Sequence, residues 1–166
     1  MLNAACGRVS TALRVRRYVP VFPRAQIPRM TLLLCLLLVA ACVLLHYETL
    51  RLVNDRVSRF QFVASRAKVL VALTGAIASH VLQIGIFGLA YYLMRNRFGM
   101  GGFGGTFEDS LWSFVYFSSE TYTTLGFGDI YPTGALRLVC GLESLVGLLM
   151  VSWTASFTYL EMRRHW

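Results

Sequence analysis

Residues 120–132 read Glu-Thr-Tyr-Thr-Thr-Leu-Gly-Phe-Gly-Asp-Ile-Tyr-Pro, and the chemistry this stretch suits is the handling of a bare cation. It offers no activated nucleophile, no metal-ligand cluster and no nucleotide motif. What it offers is backbone. A cation stripped of water needs several oxygens at once, and carbonyls supply them without net charge. To line successive carbonyls along one side, some residues must leave right-handed backbone geometry, which glycine does without steric penalty. Gly126 and Gly128 meet that need, and Thr124 adds a hydroxyl oxygen at the inner end.

The run Thr124-Leu125-Gly126-Phe127-Gly128 resembles the selectivity filter of potassium channels, where a ring of four such loops replaces the hydration shell of the ion. A Gly-aromatic-Gly tripeptide alone would indicate only a turn. The longer frame carries the resemblance to bacterial two-helix potassium channels: Glu120, Thr121, Thr123, Thr124, Gly126, Gly128, Asp129, Tyr131 and Pro132. Leu125 stands where valine is commoner and Phe127 replaces tyrosine. Both variants occur in potassium-selective relatives, and the aspartate that marks non-selective relatives at the Phe127 position is absent.

The resemblance implies an all-α membrane protein with a re-entrant pore helix and filter loop, assembling as a homotetramer and passing potassium passively. Thr124 to Gly128 are then the ion-binding residues, with potassium as permeant ligand, no cofactor and no enzymatic reaction. It also implies that Glu120 and Asp129 share a proton or a water and brace the filter together with Thr123. Two close carboxylates cannot both ionise cheaply. Relatives often place a tryptophan one turn before that glutamate; here Tyr116 and Phe117 occupy the turn, and Tyr116 is expected to donate a hydrogen bond to Asp129. By distance from the filter, the face carrying Leu145, Leu149, Ser152 and Ser156 lines the inner cavity; serines bonded to their own backbone are the competing reading. Gly147 lies near a hinge-glycine position, and close helix packing explains it equally well. The rival functions are a weakly selective cation pore, a transporter subunit passing potassium for a partner, and a non-conducting or regulatory membrane subunit of a potassium transport system.

The elements that must hold this loop are apolar. Of 166 residues, 56% are hydrophobic and 14% charged, too apolar for an ordinary soluble domain. A spanning helix needs about 20 mostly apolar residues. The expected order is a basic N-terminal extension over 1–29, a first transmembrane helix over 30–48, a cytoplasmic amphipathic interfacial helix over 49–68, and a pore domain over 69–166. Within the last, an outer helix covers 69–94, an external loop 95–108, the pore helix and filter 109–132, and an inner helix 136–160, followed by a short cytoplasmic tail. Leu111 to Tyr122 is too short to span and too apolar for a plain loop, which suits a re-entrant helix. Thr106-Phe107-Glu108-Asp109 is expected to open it, with threonine as cap and acids in the first turn. Phe98 to Thr106, with five glycines, reads as a flexible external loop.

A filter loop of this kind enters from outside, which puts 49–68 and the C-terminus in the cytoplasm of a multi-pass, bacterial inner-membrane protein. Arg51, Arg56, Arg59, Arg66 and Lys68 obey the positive-inside tendency there. Residues 1–29 do not: they carry six arginines and no acid on the exported side. A start at Met30, or a disordered tail, resolves the conflict. Val39-Ala40-Ala41-Cys42 after an arginine-rich segment imitates a lipoprotein signal, but processing there would place the filter on the wrong side. The recurrence of Leu50, Val53, Val57, Phe60 and Ala64 indicates an interfacial amphipathic helix rather than a voltage sensor, whose arginines sit inside a span. The net charge of +8 comes from arginines flanking spans and does not indicate nucleic acid. The four cysteines show no paired spacing. Finally, His80 and Glu143 are ionisable residues inside spans, at similar depth on neighbouring helices. They are expected to pair and to couple pH to gating. The sequence names no other gating stimulus and no regulatory partner.

Overall fold

The computed structural model describes residues 29–59 and 65–165, and its architecture is helical. The element order is α1 (Arg29–Arg59), α2 (Ser65–Asn96), β1 (Phe103–Gly105), α3 (Leu111–Tyr122), β2 (Ile130–Pro132) and α4 (Leu136–His165). Three helices are long and apolar enough to cross a membrane, over Arg29–Arg56, Ala67–Asn96 and Leu136–Arg164. The chain is a multi-pass membrane protein with a short fourth helix tucked among its spans.

Local sequence explains most of the boundaries. No glycine or proline interrupts Met30 to Arg59, so nothing ends α1 where its composition turns polar. The expected break between a first span at 30–48 and a separate interfacial helix at 49–68 is therefore not seen: one helix continues to Arg59, and α2 has begun by Ser65. Residues 60–64, and the extension at 1–28, lie outside the described residues. At the other end of α2, Arg97 and Phe98 both donate backbone N–H to the Leu93 carbonyl, and Gly99 turns the chain away at φ 58°. The short helix α3 is capped by Ser110, whose Oγ accepts from Ser113 N at 3.2 Å. Thr106 is not the cap, because it is engaged elsewhere: its N–H donates to the Asp129 carbonyl at 2.9 Å. Asp109 likewise turns away from the helix end and pairs with Arg95 at 2.7 Å.

The glycine-rich segment is not a free loop. Strand β1 pairs antiparallel with β2 in the register Phe103 to Pro132, Gly104 to Tyr131 and Gly105 to Ile130. Bonds from Thr133 N to Gly102 O (2.7 Å) and Ala135 N to Met100 O (2.9 Å) extend the ladder. Glycine here permits contact. A Cβ on Gly101 or Gly105 would overlap the carbonyl of Thr133 or Asp129 across the ladder.

The core sits where α2, α3 and α4 meet. Phe87, Tyr91 and Met94 of α2 pack with Phe114 and Phe117 of α3 and with Leu136, Val139, Val146 and Met150 of α4. Phe103 of β1 caps this cluster, 4.9 Å from the Phe117 ring and 5.7 Å from Phe114. Helix α1 contributes Cys35, Leu38 and Cys42 to the same core.

Candidate functional site

Helix α3 leads into the loop from Thr123 to Asp129, and its C-terminal end organises it. The Thr123 N–H and hydroxyl both bond the Ser119 carbonyl, and Thr124 N reaches Thr121 O at 3.0 Å. Beyond that point the backbone alternates. Thr124, Gly126 and Gly128 have φ of 60°, 55° and 79°, while Leu125 and Phe127 stay at negative φ. Alternating handedness turns successive carbonyls to one side, the arrangement a column of cation sites requires. Thr124 is the only described non-glycine residue at positive φ, an uncommon conformation for a β-branched side chain.

Glu120 holds this backbone twice. Its carbonyl accepts from Leu125 N (2.9 Å) and Gly126 N (3.2 Å), and its side-chain Oε2 accepts from Phe127 N at 3.1 Å. Three consecutive loop N–H groups thus point back at one residue. The carbonyls of Thr124 to Gly128 accept no hydrogen bond among the described residues. These five residues are exposed in the single chain. The α3 C-terminus adds the partial negative charge of a helix end beside them.

Asp129 is bonded on the outer side. Its Oδ2 accepts from Tyr116 Oη at 3.2 Å, and its carbonyl accepts from Thr106 N. Glu120 and Asp129 share no hydrogen bond in the structure; each carboxylate has a donor of its own. Burial raises the Glu120 carboxyl above the ordinary carboxylate range, the Phe127 N–H opposes that rise, and the charge of Asp129 adds to it.

Helix α4 closes against the back of the loop. Ser144 Oγ donates to the Thr121 carbonyl at 3.1 Å. Gly147 is buried against the Tyr122 carbonyl, and a Cβ there would overlap that oxygen. Its role here is close backbone approach. Farther along, Leu145, Leu149, Ser152 and Ser156 all lie on the exposed surface of the single chain. The two serine hydroxyls donate to Leu148 O (2.8 Å) and Ser152 O (3.1 Å) of their own helix.

His80 and Glu143 do not pair. Glu143 is fully buried and accepts from Tyr91 Oη and Ser118 Oγ, each at 2.5 Å. His80 bonds Tyr122 Oη and Thr154 Oγ1, each at 2.9 Å. Depth along a helix located both residues, but partner choice depends on the direction in which each side chain leaves its helix. His80, half-buried like Thr154, belongs instead to a polar group with the buried His46, Ser79, Gln83 and Tyr122 and with Thr154. The signal for His46 was present in the sequence as an ionisable residue within an apolar span. Tyr122, Gln83 and Thr154 gave no comparable signal, since uncharged polar residues are common in such helices.

A family model described as "Ion channel" matches residues 79–162, from the middle of α2 through most of α4. Helix α1 lies outside the match. Comparison with curated proteins and with solved structures finds no match.

Proposed function

The chain belongs to the ion-channel family, in its two-helix, potassium-channel-like form, and from that premise we propose that it is a potassium-selective channel. Four copies bring four filter loops around one axis, and potassium passes down its gradient through the column of carbonyls from Thr124 to Gly128. The observation that carries this reading is the alternating left-handed backbone at Thr124, Gly126 and Gly128, pinned from behind by Glu120 and leaving its carbonyls unclaimed. Potassium is the permeant ligand, no cofactor takes part, and no covalent step occurs. Asp129, Tyr116 and Thr123 steady the loop, and the exposed face of α4 with Leu149, Ser152 and Ser156 lines the inner cavity. In this reading the filter opens to the outside of a bacterial inner membrane and the C-terminus lies in the cytoplasm; the basic residues after the first span support that sidedness.

Flux from vesicles containing the purified chain tests this. Potassium should move much faster than sodium, and barium, of similar size but doubly charged, should block it. Equal permeability to sodium and potassium overturns the selective reading in favour of a weakly selective pore. No flux of either ion favours a non-conducting subunit.

A further inference from the structure

Helix α1 carries a fully buried histidine, His46, on the side it packs against α2 and α4. Its ring centroid stands 5.2 Å from that of His80 and 5.4 Å from Trp153, edge-on to the indole. Four elements supply the polar atoms around it: His46 from α1, Ser79, His80 and Gln83 from α2, Tyr122 from the end of α3, and Thr154 from α4.

The hydrogens of this group follow from what each atom can give and take. The Tyr122 hydroxyl donates to Gln83 Oε1 at 3.0 Å. Having spent its hydrogen there, it accepts from His80 Nδ1 at 2.9 Å, so that nitrogen carries a proton. His80 Nε2 is then the bare nitrogen of a neutral ring and accepts from the Thr154 hydroxyl at 2.9 Å. The Thr154 oxygen accepts from His46 Nε2 at 3.3 Å. His46 Nδ1 is therefore bare, and it accepts from the Gln83 amide at 3.3 Å, with the Ser79 hydroxyl at 3.2 Å. The bonds close into a circuit, Tyr122 to Gln83 to His46 to Thr154 to His80 to Tyr122, in which each group gives one hydrogen to the next. Both imidazoles are neutral in it.

A further proton has no place in this circuit. On His46 it would land on Nδ1 and face the Gln83 N–H, donor against donor, and it could be taken only by turning the Ser79 hydroxyl to accept it. On His80 it would land on Nε2 and force Thr154 to turn its own hydrogen away. Two charged rings at this separation would also repel each other. No carboxylate bonds either ring among the described residues. On α1, Glu48 pairs with Arg51, and Cys42, one turn before His46, bonds neither histidine. On α2 the titratable member is His80 itself, and on α3 it is Tyr122. On α4, Glu143 is held by Tyr91 and Ser118, about 16 Å along the helix from Thr154 at 1.5 Å per residue. Glu161 pairs with Arg164, about 10 Å beyond Thr154 by the same rise.

We propose that His46 and His80 form a proton-binding site through which α1 controls the end of the pore helix. A proton breaks the circuit, releases Tyr122 from Gln83 and His80, and loosens α1 from α2 and α4. Tyr122 is two residues before Thr124, and its carbonyl is the surface on which Gly147 of α4 rests. The effect on ion flux rests on the channel reading; the site itself does not.

The two are separable in one experiment on the full chain in vesicles. Replacing Trp112 and Trp166 by Phe leaves Trp153 as the sole emitter, and a protonated His46 against its ring quenches it. Between about pH 8 and pH 3, a range that extends below the one in which histidine ordinarily titrates, Trp153 emission should fall in one step. Potassium flux should change about fivefold or more over the same interval, the lower end of ordinary coupling between sites. His46→Gln should remove both responses. Tyr122→Phe should keep the emission step and lose the flux response. Flat emission in the parent protein, or a step that survives His46→Gln, overturns the proton site. A flux response identical in the parent, His46→Gln and Tyr122→Phe overturns the coupling. Vesicles that pass no cation at any pH count against the channel reading, and the emission step still decides the proton site.

Discussion

Glu120 concentrates three filter contacts on one side chain and its carbonyl, so the loop is sensitive to its protonation. Its carboxyl is raised by burial, with Phe127 N–H opposing and Asp129 adding. An acid whose folded-state pKa is raised holds its proton more tightly folded than unfolded. Its favourable contribution is complete below the ordinary carboxylate value and is lost as pH rises through the raised one. Wild-type protein should therefore lose thermal stability across that window relative to Glu120→Gln, whose amide oxygen keeps the bond from Phe127 without ionising. Parallel melting curves in detergent at several pH values check this; identical pH slopes would mean that Glu120 titrates as it does in the unfolded chain. Gly126 makes the complementary case. Nothing lies within 4 Å of a Cβ built on it, so Gly126→Ala should fold and assemble. Left-handed backbone nevertheless costs an L-residue about 1–2 kcal/mol, and relaxing it turns a carbonyl out of the column. Flux should be abolished in that variant while its oligomer persists, and normal flux would show that the column lies elsewhere.

Two contacts between elements position the loop, and both depend on missing side chains. Gly147 lets α4 touch the Tyr122 carbonyl at the end of α3, and Gly105, at φ 86°, lets β1 lie on Asp129. Gly147→Ala forces α4 away from the pore helix, at a cost of about 1–3 kcal/mol for an overpacked interior. It should lower the melting temperature and alter flux together. Thermal melting alongside flux measures both, and an unchanged melting temperature would show that α4 can shift freely. These contacts also set the limit of sequence reasoning at this scale. Leu111 to Tyr122 announced itself as a short apolar helix by length and composition. The pairing of β1 with β2 did not, because five glycines in a loop look the same whether they are free or tightly packed. The cap moved from Thr106 to Ser110 for a related reason: Thr106 had a partner across the ladder that lies more than twenty residues away in sequence.

Across the whole molecule, the single chain leaves the proposed filter loop uncovered. The residues from Thr124 to Gly128 are exposed, with carbonyls that accept nothing among the described residues. Backbone of that kind persists in a membrane only when it lines water or is buried in protein. The exposed Leu145, Leu148 and Leu149 of α4 continue the same surface. Native mass spectrometry of the detergent-solubilised protein should show four copies, and a monomer that conducts would contradict the tetrameric filter.

What the sequence determined alone is whatever depends on local chemistry. Residue type fixed which backbone could turn left-handed at Gly126 and Gly128, and apolar length fixed the spans and the short helix α3; the absence of glycine and proline that carries α1 on to Arg59 was also in the sequence, but the polar turn in composition after residue 48 masked it. Only the tertiary structure decided the partners. His80 met Tyr122 and Thr154, and Glu143 met Tyr91 and Ser118, because side-chain direction around a helix and the crossing of four packed elements choose which buried polar atoms meet. Depth along each helix constrains that choice but does not make it.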